Sequence, residues 1–99
     1  MKVIAIIETN ISDPSWIEEY TKNVTPMLSE IGARYLTRTN NIELIEGSDK
    51  PQFSVIAEFP SREVAHKFYD SEKYKPYRLK RKNGSSSKFL LVDVENETT

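Results

Sequence analysis

The apolar patterns of this 99-residue chain predict an α+β domain in which two helices cover one face of an antiparallel sheet. Three observations carry that expectation. Short β-branched and aromatic runs alternate with stretches of helical spacing, in the order strand, helix, strand, strand, helix, strand. That order is the split βαβ pattern of the ferredoxin-like βαββαβ sandwich. Residues 3–7 and 89–92 are also apolar on both faces of their strands, whereas a sheet covered on one side should alternate apolar with polar. A bare apolar sheet face is an association surface. The expected assembly is therefore a homodimer in which two sheets pack face to face as a closed or nearly closed barrel.

Composition sets the limits. The length suits one domain with a single core, expected over residues 1–94 with a flexible tail at 95–99. Hydrophobic residues make up 37% and charged residues 29%, the balance of a globular chain. There is no Cys, which excludes disulfides, thiolate nucleophiles and zinc ribbons. With one His, His66, no multi-histidine metal site can form, and neither metal nor cofactor is expected. No apolar run approaches a membrane span and no signal-peptide pattern opens the chain, so a soluble cytoplasmic protein is expected.

Along the chain, residues 3–7 read as the first strand. Asp13 and Pro14 form a helix start, because the Asp side chain can accept from free N–H groups and Pro suits the first helical position. Ile17, Tyr20, Val24, Met27, Leu28 and Ile31 then share one helical stripe, with Trp16 at its edge. Pro26 should kink or break this helix near Lys22; Gly32 should end it in a left-handed turn. Residues 34–39 read as a strand with Tyr35 and Thr37 on one face and Arg34, Leu36 and Arg38 on the other. Residues 42–46 read as a short returning strand that completes a hairpin. In the strand 53–59, Phe53, Val55, Ala57 and Phe59 oppose Ser54, Ile56 and Glu58; alternation leaves open which set meets the helices. Ser61 caps the next helix, whose stripe is Val64, Ala65, Phe68 and Tyr69. A basic segment over 74–82 is helical or irregular, residues 83–87 read as a turn, and 88–94 as the last strand.

Several motifs occur together in order and spacing: Asp13-Pro14, Tyr20, Pro26, Gly32-Ala-Arg-Tyr-Leu-Thr-Arg38, Glu46-Gly47, Glu58-Phe-Pro-Ser61, Phe68-Tyr-Asp-Ser-Glu-Lys-Tyr74, Arg81 and Phe89-Leu-Leu-Val92. In combination they resemble the domain of unknown function 1330 family, within the dimeric alpha-beta barrel superfamily. The resemblance spans nearly the whole chain. Ala33 and Thr39 stand where the family usually has Gly, Glu72 where Pro is common, and Asp93-Val94 where it has Glu-Gly. The resemblance implies a dimeric ferredoxin-like barrel with a pocket between sheet and helices, and no assigned reaction.

Candidate chemistry is sparse. Arg38, at a strand end, reads either as an anchor for a carboxylate or enolate or as half of a structural ion pair with Glu8 or Glu58. His66 is the only imidazole, but it lies off its helix's core stripe, as a solvated surface residue would. The weak catalytic candidates are thus Arg38, Glu58 and His66. Trp16, Tyr20, Tyr69 and Tyr74 are amphipathic aromatics that either line a pocket for a planar ligand or fill the core; the superfamily resemblance favours the pocket, and with Arg38 and Arg81 they make up the expected ligand-contacting set. The run Lys73, Lys75, Arg78, Lys80, Arg81, Lys82 and Lys88 contains no acid and could track phosphates, yet the net charge is −1 and the strands lack the aromatic pattern of an RNA-binding sheet. The leading expectation is a homodimer binding a small planar or anionic organic molecule, with a cofactor-independent enzyme as its catalytic form. A noncatalytic sensing or scaffolding dimer is the alternative, and RNA binding through the basic run a weaker one.

Overall fold

The computed structural model describes residues 1–95, so the expected tail lies, beyond Glu95, outside the described residues. The elements run β1 (Val3–Ile11), a 3-10 turn (Pro14–Trp16), α1 (Ile17–Glu30), β2 (Arg34–Thr39), β3 (Phe53–Phe59), α2 (Arg62–Tyr69), α3 (Lys75–Asn83) and β4 (Ser85–Asp93). The strands form one antiparallel sheet of order β2-β3-β1-β4, the ferredoxin-like arrangement.

Local chemistry explains the element boundaries. Asp13 Oδ1 accepts from the Ser15 N–H at 2.9 Å and Pro14 opens the turn. Ser61 Oγ caps α2 by accepting from the Val64 N–H at 3.1 Å. Gly32, at φ 77°, turns the chain out of α1, where a side chain would be strained and a Cβ would also press on the Pro60 ring. The break expected at Pro26 does not occur; α1 runs unbroken through it. Pro26 and Lys22 are both exposed, so the carbonyl that loses its N–H partner can be hydrated instead.

Two further expectations are corrected. Residues 42–46 are not a strand: β2 keeps β3 on one side and leaves its other edge open, because the Asn41 and Ile42 N–H groups turn back to Thr39 Oγ1 and the Asn40 carbonyl. Ser85, Ser86 and Ser87 are not a turn but the start of β4, because β1 continues past Ile7 and pairs Thr9 with Ser87, Asn10 with Ser86 and Ile11 with Ser85. An available ladder overrides weak strand propensity.

The pairing also decides the faces. Val3, Ala5 and Thr9 of β1 and Ala57 and Phe59 of β3 are buried under the helices with Val24, Met27 and Leu28 of α1, Ala65 and Phe68 of α2, and Tyr74. Ile4, Ile6, Ile56, Leu90 and Val92 lie on the opposite face, where Ile6 pairs with both Ile56 and Leu90. Leu90 and Val92 are 44% and 45% exposed. Glu58, on that same open face, forms ion pairs with Lys2 at 3.4 Å and Arg34 at 3.6 Å.

Candidate functional site

The layer between sheet and helices is incompletely filled. Small residues at Ala5 and Ala57 keep the sheet floor low, while aromatic side chains stand up from its edges. The result is a cavity of about 370 Å³, in the range of small-molecule sites. Its floor is formed by Ile7, Val55 and Phe89; the 3-10 turn contributes Trp16 and α1 Tyr20 and Val24; Tyr74 and Arg81 close one side and Tyr35 and Arg38 the other. Among the described residues, no Asp or Glu contributes to the lining.

One irregularity in β2 governs this lining. Tyr35 pairs with Ala57 and Arg38 with Val55, with a register shift between Tyr35 and Thr37. Simple alternation puts residues 35 and 38 on opposite faces; the extra residue of a β-bulge brings both to the helix side. The expected grouping of Arg38 with Arg34 and Leu36 is therefore corrected. The Arg38 guanidinium sits over the Tyr35 ring at 4.3 Å from its centroid, and Arg38 remains exposed. Neither Glu8 nor Glu58 pairs with it. A cation that keeps contact with water needs no counter-ion, and the ring adds roughly 0.5–1 kcal/mol.

Arg81 differs. It is 4% exposed, has no carboxylate partner among the described residues, and its Nε has no hydrogen-bond partner. Burying an unpaired charge costs several kcal/mol even after relaxation. Burial acts to lower the guanidinium's pKa, but the neighbouring Tyr74 and Tyr20 hydroxyls outweigh it and hold it above its ordinary value. Arg81 is thus a fixed cation. Beside it the Tyr20 and Tyr74 hydroxyls lie 2.6 Å apart, and Tyr74 is fully buried. Burial, then the electrostatic effect of the adjacent Tyr74 phenol, holds the Tyr20 phenol well above its ordinary range, so near neutral pH Tyr20 carries its proton. Burial raises Tyr35 as well.

Trp16 is held at the cavity wall from both sides. Its indole Nε1 donates to the Gly84 carbonyl at 3.2 Å, and that carbonyl also accepts from the Ser12 and Asp13 N–H groups, each at 3.0 Å. The ring packs so closely on Gly84 that a Cβ there would collide with it. Trp16 and Tyr20 meet edge to face at 5.4 Å.

Of the residues singled out in the sequence, Trp16, Tyr20, Arg38, Tyr74 and Arg81 converge on this cavity. Tyr69 does not line it; its ring backs Tyr74 and Phe89 and carries the Arg78 guanidinium at 5.0 Å. Glu58 is on the other side of the sheet, and His66 is exposed on α2, so neither joins the cluster. Sequence reasoning missed Tyr35 and Phe89. The only available signal for Tyr35 was its place beside Arg38, and the bulge disguises that. The basic run is largely engaged elsewhere: Lys73 pairs with Glu30 at 3.1 Å, Lys80 with Glu19 at 3.5 Å and Arg78 with Asp70 at 3.8 Å, while Arg81 is buried. Among the described residues no cluster of three or more His, Cys, Asp or Glu could hold a metal ion, and no helix is long and apolar enough to cross a membrane.

Comparison with known proteins bears on family and fold. The sequence model of a domain of unknown function, DUF1330, matches residues 2–94. No curated protein matches the sequence. Among solved structures, RPA0582 of Rhodopseudomonas palustris, a protein of unknown function, is 11% identical with a TM-score of 0.77, over 94% of this chain and 82% of that one. SnoaB of Streptomyces nogalater, a cofactor-independent oxygenase, is 14% identical with a TM-score of 0.66, over 98% and 96%. Rv0793 of Mycobacterium tuberculosis is 15% identical with a TM-score of 0.56, over 98% and 99%. At these identities the likeness is one of fold.

Proposed function

We propose, for a chain that belongs to the DUF1330 family, that it is a cytoplasmic small-molecule-binding protein working as a homodimer, with a planar, largely apolar organic molecule in the cavity of each subunit. The observation that carries this reading is the cavity itself. Its volume of about 370 Å³ lies between an aromatic wall and an aliphatic floor, and among the described residues its only charged lining groups are two guanidiniums. A space of this kind in a small domain loses packing contacts along its lining, so an apolar guest that fills it is favoured. The fold shared with SnoaB supports, by analogy, a catalytic form in which no cofactor takes part. In that form Arg81 orients the substrate's oxygen atoms, Arg38 attracts the anion at the rim and Tyr20 supplies a proton. Glu58 and His66 have no role in it.

The dimer is supported by the open sheet face. Ile4, Ile6, Ile56, Leu90 and Val92 form a continuous apolar surface on paired strands, and a second copy would cover it. Sedimentation velocity at micromolar concentration should give a dimer, and Ile6→Glu should give a folded monomer. A wild-type monomer overturns this part.

Thermal-shift titration tests the pocket with aromatic carboxylates, phenols and quinones. A ligand at 100 times its Kd should add about 2.7 kcal/mol to stability. Absence of any shift across all three classes overturns the reading.

A further inference from the structure

We propose that Arg81, with the Tyr20–Tyr74 hydroxyl pair, is a seat for one carboxylate, and that the ligand is a planar aromatic acid entering carboxylate first. This deepens the pocket reading and rests on it. The argument begins with the Nε N–H of Arg81, buried and without a partner in a wall of the cavity. Buried donors are almost always satisfied, and the side of a guanidinium that presents Nε together with an Nη matches the two oxygens of a carboxylate. No side-chain carboxylate of the described residues takes that place. The hydroxyl pair points the same way. At 2.6 Å Tyr20 and Tyr74 share one hydrogen bond, which uses one of their two protons. The second O–H remains available to an acceptor beside them.

Charge and geometry narrow the ligand further. A carboxylate is ionised at neutral pH, whereas an ordinary phenol is not, so a fixed cation selects the acid. The remaining lining, Ile7, Val55 and Phe89 below and Trp16 above, suits an aromatic body with no second charge. Arg38 stands exposed at the rim over Tyr35, where it can draw anions in without holding them. The two arginines therefore divide the work: Arg38 governs arrival, and Arg81 holds what arrives.

The probes are 2-naphthoate and its neutral near-isostere 2-naphthamide, titrated calorimetrically into the full chain at pH 7. Naphthoate should bind at least about tenfold more tightly, the scale of a charged hydrogen bond. Equal affinity for the two overturns the carboxylate seat and leaves the pocket reading standing. Binding of neither overturns both. Arg81→Met should abolish the preference, whereas Arg38→Met should keep it and mainly slow association; a preference lost with Arg38 and kept without Arg81 overturns the assignment. Because a buried arginine can be needed for folding, a second measurement uses the unaltered protein. In ¹⁵N–¹H spectra the Arg81 Nε–H resonance should move on adding naphthoate and stay in place with naphthamide. An unmoved resonance at saturating naphthoate overturns the proposal.

Discussion

The two faces of the sheet are built from the same four strands yet present opposite surfaces. On the helix side, alternate residues of β1 and β3 meet α1 and α2 around a gap, and the charges there, Arg38 and Arg81, have no acidic partner among the described residues. On the open side the surface is aliphatic, and its Glu58 is already taken by Lys2 and Arg34. Charges matched within the chain have little left to offer a ligand; unmatched ones do. The contrast is the ground on which chemistry is proposed for one face and assembly for the other, without relying on any single residue type.

The largest effect that can break or sharpen this contrast is expected at Tyr74. It is fully buried and packs on Phe68 at 4.3 Å and on Tyr20 and Tyr69, each at 6.1 Å, between ring centroids. Tyr74→Ala should cost about 3–5 kcal/mol in urea unfolding, and Leu90→Ala on the open face less than about 1 kcal/mol under monomeric conditions. Comparable losses would show that the open face is as much a folding core as the covered one.

An intermediate effect is expected at alkaline pH. The folded protein keeps the Tyr20 proton at pH values where the unfolded chain releases it. The resulting stabilisation is intact below the ordinary phenol pKa of about 10 and is lost as pH rises above it toward the folded value, by up to about 1.4 kcal/mol per pH unit. Unfolding at pH 9, 10 and 11 should show a shallower decline for Tyr20→Phe than for wild type. Identical slopes would mean that the hydroxyl is hydrated rather than enclosed.

The smallest effect belongs to Glu58. Its ion pairs are with exposed partners, so Glu58→Gln should change stability by less than about 1 kcal/mol and leave ligand affinity unaltered. A loss of affinity in calorimetry would reverse the assignment of faces.

How far the sequence could be read varies with the range of the interaction that decides each feature. The Asp13 and Ser61 caps, the Gly32 stop and the Val24–Met27–Leu28 stripe depend on neighbours within a few residues, and all are legible. Ser85 to Ser87 form strand only because Thr9, Asn10 and Ile11 lie opposite, which no local signal conveys. The segment 42–46 has strand-like residues, yet it does not join the open edge of β2. For the site, residue types were readable and positions were not: Trp16, Tyr20, Tyr74, Arg38 and Arg81 stand out as amphipathic or charged, but the separation of Glu58 from them follows from which face of β3 the helices cover. Arg38 and Tyr35 meet only because counting by twos fails once between them.

That miscount has a consequence of its own. In β2, register acts as a selector of side-chain identity: straightening the bulge with Leu36 retained would place Thr37 where the rim cation now stands and turn Arg38 outward, whereas deleting Leu36 would close the bulge and keep Arg38 opposite Val55. Loss of a bulge without loss of a residue can therefore rewrite the electrostatics of a binding site as thoroughly as a substitution inside it. Families built on this sheet can diverge in ligand charge through the gain or loss of such a bulge, which a comparison of site residues alone would overlook.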